Sequence, residues 1–197
     1  MTDHKVTPVL IHGANSTSSS FKYIIEKLDL DNLIVMDYKS DRGFQNNLTS
    51  MIQICKPKKN LFFIGHSLGG VYSAHLSQKT QSVGGISIAT PYGGSSVANC
   101  LRWALPSVQL FHDIRTTSQY ITCMKQFKFH KNWTQVVTTS GNTIMLRQPN
   151  DGVVSRRSMT ALGDKLNYKY LPYNHFEVKM SDELVSLIKE KMSCAGA

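Results

Sequence analysis

A serine hydroxyl is a poor nucleophile until a neighbouring base takes its proton, and the backbone must hold it clear of the surrounding structure. Ser67 has the sequence setting for this. The run Leu61-Phe62-Phe63-Ile64 leads through Gly65-His66-Ser67-Leu68-Gly69 into Gly70-Val71-Tyr72, so a buried-strand pattern meets a helical one across Gly-x-Ser-x-Gly. Glycines at 65 and 69 are needed where a side chain would crowd the neighbouring strand and helix. The helix that starts after Ser67 leaves the N–H of Leu68 unpaired, aimed where negative charge develops on an attacked carbonyl oxygen. A tight strand-to-helix turn that merely favours small residues would read the same way, so the motif needs partners.

Three segments supply them. Val9-Leu10-Ile11-His12-Gly13-Ala14 is a strand-like run followed by His-Gly, where an early loop can provide a second oxyanion donor, and the N–H of Ala14 is the candidate. His12 itself reads as a structural histidine bonded to nearby backbone. Gln148-Pro149-Asn150-Asp151-Gly152 offers an acidic residue, Asp151, in a turn after a late strand, although Asp-Gly alone is a common turn dipeptide. Asn174-His175-Phe176 places a histidine between the last strand and the last helix. Of the seven histidines only His175 follows both Ser67 and Asp151, in the order Ser, Asp, His. Asp164 and Asp182 are the competing carboxylates, the first in a short turn and the second at a helix start.

Elements that could position these residues follow from the alternation of short apolar runs with helical periodicity, which predicts an α/β fold with a mostly parallel sheet of about six strands. The strands are expected at Pro8 to Ile11, Leu33 to Asp37, Leu61 to Ile64, Gly85 to Ala89, Thr134 to Thr139 and Leu166 to Leu171. Helices are expected at Ser18 to Leu28, Gln45 to Cys55, Leu68 to Lys79 and Asp182 to Met192, the last capped by Ser181. Ser95 to Lys131 reads as an insertion, partly helical, with Leu101, Trp103, Leu105, Leu110 and Phe111 around Pro106. It can form a lid or acyl-binding wall over the site, or pack onto the sheet.

With 197 residues, 41% hydrophobic and 18% charged, and no linker-like tract, the chain is expected to form one domain, 1–197. A net charge of +9 favours solubility and transient contact with anionic membrane surfaces. Its basic groups, Lys56-Pro57-Lys58-Lys59 and Arg156-Arg157, are short and lack interleaved aromatics, which argues against nucleic-acid binding. Cys55, Cys100, Cys123 and Cys194 show no metal-ligand spacing, so neither a metal nor another cofactor is expected. The N-terminal residues lack a secretory pattern, giving a cytoplasmic expectation, with export by another route left open.

Together these segments resemble the compact α/β-hydrolase lipases and esterases of bacteria. Ala89-Thr90-Pro91-Tyr92-Gly93-Gly94-Ser95 is similar to that family's Gly-Thr-Pro-x-x-Gly-Ser stretch, with Ala89 where Gly is usual. Asp151-Gly152-Val153-Val154 resembles its acid loop, with Ser155 following where Pro is frequent, and His175-Phe176-Glu177-Val178 its histidine segment. The resemblance implies a triad of Ser67, Asp151 and His175 with Ala14 and Leu68 as oxyanion donors, acting on carboxylic esters. The paired cysteines and Ca²⁺ site of some secreted relatives are not evident. A thioesterase or deacylase would use the same residues, and a catalytically silent binding scaffold is the reading from another class.

Overall fold

The computed structural model describes residues 5–95, 98, 109–143, 146 and 148–196. Six strands, β1 (Thr7–Ile11), β2 (Ile34–Met36), β3 (Leu61–His66), β4 (Ser82–Ile88), β5 (Trp133–Thr138) and β6 (Asn167–Leu171), form one sheet in the order β2-β1-β3-β4-β5-β6. Every neighbouring pair is parallel. Parallel pairing requires crossovers, and these cover both faces, so the central strands read as unbroken apolar runs.

Period-two alternation divides those runs between two cores. Val9, Ile11, Leu61 and Phe63 face one side, packing with Leu48 and Met51 of α2 (Phe44–Cys55) and Val71 and Tyr72 of α3 (Leu68–Ser77). Leu10, Phe62, Ile64, Ile86 and Val136 face the other. There they meet Ile24 and Leu28 of α1 (Lys22–Leu28) and Leu184 and Ile188 of the C-terminal helix, Asp182–Gly196. Three shorter helices complete the described set: α4 (Gln109–Ile114), α5 (Gln119–Thr122) and α6 (Arg156–Met159), which makes the C-terminal helix α7.

The expected elements are present with shifted ends. The first expected helix divides into a 3₁₀ turn, Ser18–Phe21, and α1, while α7 runs on to Gly196. β2 is shorter than expected, and β4 starts at Ser82 and stops at Ile88 because Ala89 turns out of the sheet at φ 51°. Ser181 accepts from the N–H of Leu184, as a cap at the start of α7 should.

Part of the insertion packs on the first core. Leu110, Ile121 and Met124 are buried there, and the buried carboxylate of Asp113 in α4 accepts the N–H of Phe44 at 2.8 Å, capping α2 from outside its own chain segment. Leu101, Trp103, Leu105 and Pro106 lie outside the described residues.

The chain runs outward from β1 to β2 and then back across β1 to β3, reversing direction at this point of the sheet. Crevices of parallel α/β sheets lie at the carboxyl ends of strands at such a reversal. Ala14 follows the end of β1, and Ser67 follows the end of β3.

Candidate active site

Ser67 sits between β3 and α3 at φ 54° and ψ −120°, a conformation that L residues rarely adopt. Its N–H donates to the carbonyl of Ile88 at 2.8 Å, which fixes the turn to the end of β4. The glycines around it fill the tight places expected of them. A Cβ on Gly69 would strike the carbonyl oxygens of Ile11 and His12, and one on Gly65 would meet the Ser73 hydroxyl and the Gly69 carbonyl. Strain of order 1–3 kcal/mol at Ser67 is held by β3, whose Leu61, Phe62, Phe63 and Ile64 are fully buried, each contributing about 1.5–3 kcal/mol.

Ser67 is half-buried and opens into a cavity of about 110 Å³ shared with Ala14 and Leu68. Pro91, Ile114, Leu146, Val153 and Val154 supply its apolar walls. Ile114 comes from α4, so the insertion contributes to this wall. Leu68 is the first residue of α3, and a helix cannot pair the N–H of its first turn internally.

Asp151 and His175 meet each other, and Val153 and Val154 beside Asp151 line the same cavity. Nδ1 of His175 donates to Oδ2 of Asp151 at 2.8 Å, with both side chains almost wholly buried. Oδ2 also accepts from the hydroxyl of Thr138 at 2.5 Å, while Oδ1 accepts from the N–H groups of Val153 at 3.0 Å and Val154 at 2.7 Å. The Asn-Asp-Gly turn and the histidine partner are therefore one structure, in which each carboxylate oxygen has its own task. Burial by itself would push the Asp151 carboxyl up. The hydrogen bond and charge of His175, with Thr138 and Val154, outweigh it and hold the carboxyl below its ordinary value. Gly141 passes so near the Asp151 backbone that a Cβ there would strike its carbonyl.

His175 and Ser67 share no direct hydrogen bond; His66 stands between their chain segments. Its ring lies 4.7 Å from that of His175, and its Nε2 donates to the His175 carbonyl at 2.8 Å. A carbonyl only accepts, so the His66 proton is on Nε2, and Nδ1 is buried without a partner among the described residues. Burial first, then the charges of His175 and Lys179, push the His66 imidazole well below its ordinary value and keep it neutral. With Nδ1 of His175 committed to Asp151, its Nε2 is the nitrogen left without a hydrogen bond among the described residues.

The other candidates have structural roles. His12 is fully buried, stacks on Tyr38 at 4.3 Å and lies 3.1 Å from the exposed carboxylate of Asp37. Asp182 accepts from the Tyr23 hydroxyl and pairs with Lys27 at the start of α7, and Asp164 lies in the 3₁₀ turn Gly163–Lys165. Among the described residues no group of three or more His, Cys, Asp or Glu could hold a metal ion. Sequence alone does not mark Thr138 or His66: Thr138 carries no local sign beyond lying at the end of a strand, and His66 reads only as the residue before Ser67 in Gly-x-Ser-x-Gly.

No protein-family model and no curated protein sequence matches this chain. Solved structures do match in shape. The mature lipase BlEst2 of Bacillus licheniformis superimposes with a TM-score of 0.68 at 15% identity, covering 96% of this chain and 92% of that one. A lipase-esterase related protein from Clostridium acetobutylicum gives 0.68 at 13% identity, with 95% of each chain covered. A pyrethroid hydrolase from Sphingobium faniae gives 0.62 at 12% identity, covering 95% and 97%. The chain has the α/β-hydrolase fold.

Proposed function

We propose that the protein is a serine hydrolase of carboxylic esters, with Ser67 as nucleophile, His175 as general base and acid, and Asp151 as the group that orients His175. The N–H groups of Ala14 and Leu68 serve as oxyanion donors. One observation carries this reading: a buried, ionised carboxylate holds Nδ1 of a histidine that follows it in the chain, while a strained serine heads a helix at the reversal of strand order. The solved structures of similar shape, named as a lipase, a lipase-esterase related protein and a pyrethroid hydrolase, support it at the level of hydrolase chemistry.

In the first step Ser67 Oγ attacks the ester carbonyl carbon and its proton passes to Nε2 of His175. The carbonyl π electrons move to oxygen, where the two backbone N–H groups receive the charge. Collapse of this intermediate breaks the bond to the leaving alkoxide, which takes the proton from His175. An acyl-Ser67 ester remains. Water then repeats the sequence, giving the carboxylic acid and free Ser67. The contact between nucleophile and base is commonly loose before substrate binds and tightens with it. The walls formed by Ile114, Leu146, Val153 and Val154 suit an apolar group next to the carbonyl.

The test is labelling with a fluorophosphonate, followed by turnover of p-nitrophenyl esters of rising chain length. Labelling is expected on Ser67 and absent in Ser67→Ala and His175→Ala proteins that retain their circular dichroism. Folded wild-type protein that resists the label and hydrolyses no ester would leave a binding scaffold as the better reading.

A further inference from the structure

A second cavity, of about 660 Å³, adjoins the one at Ser67, and Gly94, Leu146 and Ser155 line both. Its character differs. Lys125, from the 3₁₀ turn Cys123–Gln126, and Arg157, from α6, both reach its wall, and none of its described lining residues is acidic. Neither cation forms an ion pair with a described residue. Arg156, by contrast, is tied to the carbonyl of Thr139 at 3.1 Å.

Two cations brought from separate elements to one concave space repel each other and focus a positive potential inside it. An anion entering that space relieves the repulsion, and a guanidinium pairs a carboxylate or phosphate through two parallel N–H donors. A neutral substrate tail gains nothing comparable. Resting on the reading of Ser67 as nucleophile, we infer that the preferred substrates are esters carrying an anionic group away from the scissile bond, received by Lys125 and Arg157. The apolar cavity holds the portion beside the carbonyl and the cationic cavity holds the charged end.

Three esters separate the possibilities: p-nitrophenyl pentanoate, mono-p-nitrophenyl glutarate with the charge on the acyl side, and 4-(butyryloxy)benzoate with it on the leaving side, the last compared with its methyl ester. Each rate is normalised to the fraction of Ser67 that a neutral fluorophosphonate labels, so a general loss of folded enzyme cancels. Wild-type protein is expected to favour one anionic ester over its neutral counterpart by about fivefold or more in kcat/KM, mainly through KM. Lys125→Gln/Arg157→Gln should bring that ratio to about one, and Arg157→Lys should retain most of it. Raising salt to about 0.5 M should shrink the preference, as expected for exposed charges.

A binding arm does not require turnover. Calorimetric titration of Ser67→Ala protein with glutaric acid monoanilide and with pentananilide should show tighter binding of the anionic amide, lost with the two Gln substitutions. Equal treatment of anionic and neutral probes in both arms, or a preference that the double substitution leaves intact, overturns the inference. Failure of the catalytic reading shows separately, as absent Ser67 labelling and no hydrolysis of the neutral ester.

Discussion

His66 Nε2 donates to the carbonyl oxygen of His175 at 2.8 Å, so the residue directly before Ser67 grips a loop 109 residues further along the chain. The loop is held from its other side as well, because the N–H of His175 donates to the carbonyl of Asp151 at 3.0 Å. The imidazole of His175 is thereby positioned through its own backbone, from the turn before Ser67 and from the Asp151 turn at once. His66→Leu leaves that buried carbonyl without a donor, which should lower stability by about 1–3 kcal/mol. It should lower kcat on a p-nitrophenyl ester about tenfold with little change in KM, whereas His66→Gln, which retains an N–H donor, recovers most of the loss. Equal defects in the two variants would assign His66 to packing alone.

Oδ2 of Asp151 accepts from two donors of different kinds, the His175 imidazole and the Thr138 hydroxyl, and this separates two substitutions. Asp151→Asn keeps the shape of the turn but removes the charge that selects the Nδ1–H tautomer of His175, so kcat should fall by roughly 10³–10⁴ with the fold retained. Thr138→Val removes only one hydroxyl donor to Oδ2, and should cost about 1–2 kcal/mol of stability with a far smaller loss of rate. Stopped-flow esterase rates and urea melts measure both. Near-full activity in Asp151→Asn would move the acid role to another carboxylate.

Acid should destabilise the protein in two stages. Burial depresses the imidazoles of His66 and His75, so between their folded values and the ordinary histidine value of about 6.5 the unfolded chain binds protons that the folded one refuses. Stability is then complete above about pH 6.5 and declines as pH falls below it, by up to about 1.4 kcal/mol per pH unit for each proton taken up. Asp151, also depressed, adds its loss at lower pH, as its carboxylate is protonated. Tm measured from pH 7.5 to 5 should fall, and His66→Gln should flatten the slope. A level Tm across that range in the wild-type protein would contradict the assignment.

Ala89 is fully buried at φ 51°, with its N–H on the carbonyl of Val136. Left-handed backbone costs an alanine about 1–2 kcal/mol, which Ala89→Gly would relieve. Against that stand the loss of a buried methyl, about 0.8 kcal/mol, and a looser unfolded chain, about 0.4–1 kcal/mol. The terms nearly cancel, so Ala89→Gly should change stability by less than about 1 kcal/mol. Ala89→Val adds bulk and a β-branch where neither fits and should cost more than about 2 kcal/mol in a urea melt.

Features carried by neighbouring residues were legible in the sequence. The apolar runs ending in Ile11 and Ile64 announced strands because burial on both faces leaves no polar position, and Gly65 and Gly69 around Ser67 announced a crowded turn because only glycine fits one. The chain order of Ser67, Asp151 and His175 also pointed to a meeting of the last two, and they do meet. Strand order is different in kind: it depends on which way each crossover swings, and no local pattern encodes that choice. The same holds for Thr138, an ordinary strand-end threonine until β5 meets the acid turn, and for the hydrogen bond of His66 to a carbonyl. Lys125 and Arg157 are surface charges in a linear reading, and become a pair only when α6 and the Cys123–Gln126 turn close on one cavity. Local sterics and burial act over a few residues and so are written in residue type, whereas long-range contacts exist only once the sheet has brought distant segments together.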